Sequence, residues 1–348
     1  MRLSYIKYTI SYFKKANKFL DNPYSALFQY IEGKPIIKLK IKNTDVSVTR
    51  NFFEQLVYGI VIDKISSIEI FNDQLIVNNN IRFFSCKSNE HEYFDDNPFL
   101  ALTLAEKAEK LGWKYENGTW TNGTVRFLAI LRGVLDAFSY NLYYTEGVKN
   151  RDVVDIGGNI GDTAILYKLH GARKVISVEP LGLPYNLAKV HMKLNNITNV
   201  DIIRGAVVGK KDRERIRVPR CYPLYGSGSF SLINTRITLE SDEIDTFTLE
   251  EILPDDPYIL KMDCEGCEAD IILRDYETVK KFQIINFEFH EKETGIPHEV
   301  LVNKLKEDYD VKVYYRPGEN DSNTGHRKPY VMIPVSYTHL RAHETPEH

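Results

Sequence analysis

The sequence predicts an α/β protein in which a doubly wound, seven-stranded sheet follows a smaller α+β region. Two observations carry this reading. From residue 126 onward, short apolar runs alternate with amphipathic stretches of helical period, the pattern of parallel strands with helices on both faces. Upstream, the hydrophobic period is two over several short segments and that alternation is missing.

Residues 1 to about 30 place Tyr5, Tyr8, Tyr12 and Phe13 among lysines at helical spacing, which reads as an amphipathic helix. "PIIKLKIKN" puts Ile37, Leu39 and Ile41 on one face of a strand, and "SIEIF", "QLIVNN" and "IRFFSC" follow as further short strands. "DDNPFLALTLAEKAEKLG" is a helix with its signals in place: Asn97 caps, Pro98 takes the first position and Gly112 ends it. "WKYENGTWTNGTVRF" reads as a hairpin about an Asn-Gly turn. This accessory region, 1–125, carries no motif with chemistry of its own. In 126–335 the strands are "DVVDIG", "KVISVEP", "NVDIIRGAVV", "YILKMDCEG", "IINFEFH", "VKVYYRP" and "YVMIPV". A β-hairpin excursion, Lys210 to Glu251, interrupts them after the third. The tail 336–348, "SYTHLRAHETPEH", resembles a translated cloning read-through and is set aside as non-native.

A chain of 348 residues suits two domains, and 43% hydrophobic with 27% charged residues is a globular composition. The net charge of -3 gives no footprint for nucleic acid. No run approaches the roughly eighteen uncharged apolar residues of a membrane span, and the amino terminus lacks a signal-peptide pattern. The location expected is therefore cytoplasmic. Four cysteines are too few and scattered for a disulfide framework. Cys264 and Cys267 form a C-x-x-C among acidic residues, read as small residues after a strand and neither a redox nor a metal site; no metal is expected.

The chemistry gathers at the strand ends. "VVDIGGNIGD" has Asp155 before Gly157, then Gly158, Asn159, Gly161 and Asp162. A dinucleotide fingerprint needs G-x-G-x-x-G directly after the strand, and this loop lacks that spacing. Its glycines allow a ligand close to the backbone, while the acid disfavours a pyrophosphate and favours an amine or sulfonium. Glu179, closing the second strand, is placed to accept both hydroxyls of a ribose. Asp263, Glu265 and Glu268 follow the fourth strand, and Glu288 and His290 end the fifth, so acids line the mouth of the same crevice.

The ordered set "VVDIGGNIGD", "VISVEP", "IDTFTLEEI", "LKMDCEGCE" and "NFEFH" resembles the FkbM-type family of S-adenosylmethionine-dependent methyltransferases, over roughly residues 140 to 335. Gly158 stands where that family usually has alanine. The resemblance implies a class I methyltransferase (Rossmann-like) sheet whose last strand is antiparallel, with S-adenosyl-L-methionine as cofactor. It also implies O-methylation of a glycan or small-molecule hydroxyl. By position, Asp155, Gly157 and Asn159 would face the amino-acid part of the cofactor, and Glu179 its ribose. Asn195 and Ala206 would lie on the adenine side, and Tyr144 or Glu146 would close over the methionine end. Asp263, Glu265, Glu288 and His290 are the candidates for a catalytic base or for acceptor positioning. A nicotinamide-dependent oxidoreductase on a similar sheet and a catalytically inactive cofactor-binding module are the alternatives.

Overall fold

The computed structural model describes residues 11–87, 92–143, 145–231, 240–313 and 335–336. The chain forms two compact units, one of residues 1–135 with 219–227 and 238–241, the other of 136–218, 228–237 and 242–348. Within the described residues no helix is long and apolar enough to cross a membrane.

In the first unit six strands form one sheet, in the order Ile36–Ile41, Thr44–Thr49, Glu92–Phe94, Ile81–Lys87, Gln74–Val77, Ile68–Phe71. The period of two places Ile37, Leu39 and Ile41 in the core, each fully buried. The helix Arg50–Val61 starts where the Thr49 side chain accepts from Phe52 N, and it buries Phe52, Phe53, Leu56 and Ile60. The helix Pro98–Lys110 begins as its sequence signals indicate, with the Asn97 side chain accepting from Leu100 N. A hairpin turns at Asn117–Gly118 between Lys114–Glu116 and Thr119–Thr121. The segment 219–227 returns to this unit, where the buried Asp96 carboxylate accepts from the main-chain N–H groups of Asn97, Leu224 and Tyr225.

The cysteines correct the sequence reading. Cys86 is joined to Cys221 and Cys264 to Cys267, leaving no free thiol.

The second unit is an open sheet. In chain order it contains β1 (Asp152–Ile156), α1 (Asp162–Leu169), β2 (Lys174–Glu179), α2 (Gly182–Leu194), β3 (Val200–Val207), β4 (Arg215–Pro219) and β5 (Ser241–Phe247). There follow β6 (Pro257–Met262), α3 (Cys267–Arg274), α4 (Tyr276–Val279), β7 (Ile284–Phe287), α5 (Glu291–Thr294), α6 (His298–Leu305), β8 (Asp310–Val311) and β9 (Val335–Ser336). Across the sheet the order is β4-β5-β3-β2-β1-β6-β7-β9-β8. The pairs from β5 through β7 are parallel, and β9 is antiparallel to both of its neighbours. The antiparallel last strand is thus as expected. The seven anticipated strands become nine because the excursion contributes β4 and β5 to the sheet edge, β5 pairing with β3 from Gly205 to Val207. The tail beyond Ser336 lies outside the described residues.

Every residue of β1 is buried, as a central parallel strand covered on both faces requires. Ile156, Val178, Leu260, Met262, Ile285 and Phe287 pack with Ile271 and Ile272 of α3 and Leu301 and Leu305 of α6. From β1 the chain crosses through α1 to β2 on one side, while β6 lies against β1 on the other. That reversal opens a crevice at the carboxyl ends of β1 and β6, the usual ligand position of such sheets.

Candidate active site

The glycine loop between β1 and α1 is held from several directions. Gly157 has φ 76°, and a Cβ there would stand 1.9 Å from the main-chain oxygen of Asp263, so β6 runs directly beside it. Gly158 lacks room for a methyl group for a different reason, which depends on the Ser177 rotamer: a Cβ would meet Ser177 Oγ at 1.9 Å. The serine hydroxyl occupies the space an alanine methyl would need, which accounts for glycine at this position. Beneath the loop, the buried His191 of α2 lies with Nδ1 2.9 Å from the Ile160 carbonyl. Since a carbonyl only accepts, that nitrogen carries the proton, and burial pushes the ring pKa down to about 4.

Asp155 is oriented inward. Its carboxylate is fully buried, accepts from Thr163 Oγ1 at 2.7 Å and Ser177 Oγ at 3.1 Å, and pairs with Lys261 Nζ at 3.1 Å. Lys261 also donates to the Gly157 carbonyl at 2.8 Å. Burial opposes the lysine's charge, yet Asp155, Asp263 and Asp162 carry its pKa above the ordinary value. The charge expected of Asp155 toward a ligand is therefore matched inside the protein. Asp162, in the first turn of α1, is also buried, and burial pushes its carboxyl up to about 7.

Glu179 ends β2 facing the same loop. Oε2 accepts from Asn159 N at 2.9 Å and Oε1 from Leu181 N at 2.8 Å. A carboxylate has about four acceptor positions, so two remain for a ligand's hydroxyls. Burial raises its pKa to about 7 despite those two donors.

Beyond β6 and β7 four carboxylates converge on His290. His290 Nδ1 lies 2.8 Å from Glu268 Oε1, and Nε2 faces Glu265 at 3.4 Å, Glu288 at 3.8 Å and Asp263 at 3.9 Å. Burial works against a charged His290, but the hydrogen bond to Glu268 and the charges of Glu268, Asp263 and Glu265 raise its pKa to about 10. It is an imidazolium at neutral pH when no other cation is present. Burial likewise raises the Glu265 carboxyl, to about 7, with His290 opposing the shift. Glu265 sits in the left-handed region with φ 54°, unusual for a residue with a long side chain.

The sequence candidates thus separate. Gly157, Gly158, Asn159, Gly161 and Asp162 form the loop, Glu179 faces it, and Asp263, Glu265, Glu288 and His290 gather beside it. Ala206 lies buried near the carboxyl end of β3. Asn195 is elsewhere: it follows α2, where the side chain binds the His191 carbonyl, at the end of the sheet from which β3 starts. The backbone of Glu146 is also remote, its carbonyl accepting from Tyr258 Oη near the start of β6. Tyr144 lies outside the described residues. Its neighbour Tyr143 reaches the site, with Oη 3.4 Å from Asp263 Oδ2 and its ring 5.7 Å from Lys261 Nζ. The sequence reading missed Tyr143, Lys261 and the role of Glu268. A lysine amid the apolar "YILKM" is the one signal that was available, since a buried lysine needs a carboxylate.

Residues 155–310 match the model of the methyltransferase FkbM domain. No curated protein matches the chain. Among solved structures, a ribosomal protein L11 methylase from Lactobacillus delbrueckii subsp. bulgaricus is similar at 14% identity, over 56% of this chain and 73% of that one, with a TM-score of 0.31. A precorrin-6y C5,15-methyltransferase from Geobacter metallireducens GS-15 is similar at 12% identity, over 56% and 84%, with a TM-score of 0.34. A Streptococcus mutans protein solved in complex with SAH is similar at 11% identity, over 54% and 89%, with a TM-score of 0.33.

Proposed function

We propose, from the premise that residues 155–310 form a methyltransferase FkbM domain, that the protein moves a methyl group from S-adenosyl-L-methionine to a hydroxyl of a glycan or other small molecule. The observation that carries the cofactor assignment is Glu179, which holds the glycine loop through Asn159 N with one oxygen, accepts from Leu181 N at the start of α2 with the other, and keeps acceptor capacity in reserve. That donor–acceptor set fits a ribose, with its two adjacent hydroxyls as the donors. When bound, the cofactor supplies an electrophilic methyl group on a sulfonium.

The chain's own residues supply alignment, which is worth about 7–11 kcal/mol in well-oriented reactions. Lys261 and Asp155 act through the loop, fixing Gly157 by its carbonyl. Gly157 and Asn159 present the loop backbone to the amino-acid part, and Ala206 borders the adenine side. Asp263, Glu265 and Glu288 receive the acceptor hydroxyl and take its proton; a carboxyl near pH 7, as at Glu265, suits that task. His290, held charged by Glu268, is a poor base in this arrangement, so its role is positioning.

Calorimetry with S-adenosylhomocysteine and with NAD tests the assignment. Binding of the first and not the second is expected, and the reverse result overturns it. A mass-spectrometric screen of hydroxyl and amine acceptors for a methyl increment then tests the O-methyl reading.

A further inference from the structure

The spacing around His290 carries an inference about what occupies the cluster. Hydrogen bonds between nitrogen and oxygen run about 2.7–3.2 Å. Nε2 has its carboxylate neighbours at 3.4, 3.8 and 3.9 Å, all beyond that range. A proton on Nε2 would therefore be enclosed by acids without a good bond to any of them. Two ligand atoms that share an ion at about 2.1 Å each stand roughly 3.0–4.2 Å apart, and these separations fall within that interval. Ligand atoms of Asp263, Glu265 and His290 all lie within 4.8 Å of one another.

The buried ring is also aimed from its other side. His290 is only 8% exposed, and its other ring nitrogen is bound by Glu268, which is fully buried. A carboxylate behind a histidine, fixing its tautomer and aiming the opposite nitrogen, is the usual support of a metal ligand. Glu268 is itself fixed by Gly266 N, which donates to Oε2 at 3.1 Å.

We propose that Asp263, Glu265 and His290 bind one divalent cation of the manganese type, with Glu288 beside it and Glu268 as the positioning residue. Mixed carboxylate and imidazole donors suit such an ion better than a soft one, and the neighbouring Cys264 and Cys267 are joined to each other rather than offered as thiolates. Three protein ligands leave coordination positions open for water or for an acceptor oxygen. His290 coordinates through Nε2 as the neutral ring. What the ion does there rests on the methyl-transfer reading: it would acidify a coordinated acceptor hydroxyl in place of a lone carboxylate base.

The test is a titration of the full chain with Mn²⁺, following the free-ion electron paramagnetic resonance signal, alongside calorimetry with S-adenosylhomocysteine. One bound Mn²⁺ per chain is expected. Asp263→Asn and His290→Gln should each weaken it at least about tenfold, in line with losing a ligand or its support. Glu265→Gln, which lowers the charge repulsion of the metal-free cluster, keeps the test open if either of those variants fails to fold; it too should weaken Mn²⁺. Absence of saturable binding at millimolar Mn²⁺, or binding unchanged in the folded variants, overturns the proposal. S-adenosylhomocysteine binding without Mn²⁺ binding would remove the metal and leave the methyltransferase reading standing, while the converse would do the opposite.

Discussion

Lys261 Nζ stands 3.1 Å from Asp155 Oδ1, joining two adjacent parallel strands through side chains almost wholly removed from solvent. The pair also fixes the glycine loop, because the same ammonium holds the Gly157 carbonyl. Removing one partner leaves the other charge buried alone, which typically costs about 3–5 kcal/mol. Lys261→Met should therefore lower stability by about that amount in urea denaturation. Asp155→Asn added to it should recover much of the loss. A double variant no more stable than the single one would show that the pair's charge is not what matters.

The two adjacent glycines should respond differently to alanine. At Gly157 the methyl group meets main chain and the backbone is left-handed, which alone costs about 1–2 kcal/mol. Gly157→Ala should lose S-adenosylhomocysteine affinity as well as stability. At Gly158 only a hydroxyl is in the way, and Ser177 can turn aside, giving up its bond to Asp155 at a cost of about 1 kcal/mol. Gly158→Ala combined with Ser177→Ala should match Ser177→Ala alone, as read by thermal unfolding and calorimetry.

Glu179 links binding and stability to pH. Burial raises its folded-state pKa to about 7, above the ordinary glutamate value of 4.5. Between those values the folded protein keeps a proton that the unfolded chain has lost. Its contribution to stability is thus complete below about pH 4.5 and falls as pH rises toward 7. Ribose hydroxyls donate to the carboxylate form, so S-adenosylhomocysteine affinity should rise over the same range. Glu179→Gln should flatten both slopes and weaken binding at pH 8 by about 1.5–3 kcal/mol, the worth of hydrogen bonds to a charged group. Denaturation and calorimetry at pH 5, 6.5 and 8 would check this, and an unchanged affinity would refute the ribose assignment.

Asp263→Asn separates chemistry from cofactor binding. Loss of a proton acceptor or ion ligand should reduce methyl transfer by about 10²–10⁴-fold. S-adenosylhomocysteine affinity should stay within a few-fold, since Glu179 and the loop are untouched. Parallel loss of both would place Asp263 in the cofactor pocket instead.

The central strands were legible because burial on both faces leaves a continuous apolar signature, as in "DVVDI", and the loop and Glu179 followed from where such strands end. Asn195 falls at the end of the sheet from which β3 starts, because nearness in sequence to a motif does not fix which end a residue occupies. The 13-residue helix α2 carries the chain about 20 Å away before Asn195 is reached. Lys261 was visible as an anomaly but its partner was not, since pairing across β1 and β6 depends on strand order and not on local pattern. The edge strands β4 and β5 were obscured for the opposite reason. Their burial is partial and alternating, which a detached hairpin would share.

The return of 219–227 to Asp96 makes the first unit discontinuous along the chain. Synthesis delivers residues 1–135 well before those that complete the bonds to Asp96. Until then its carboxylate lacks the Leu224 and Tyr225 donors, and Cys86 lacks its partner. A chain stopped at residue 135 would expose that acid and carry an unpaired thiol, so the first unit should not be recoverable as a fragment by cutting there. Its maturation waits on the strands of the other unit being made, which ties two folding events to one schedule.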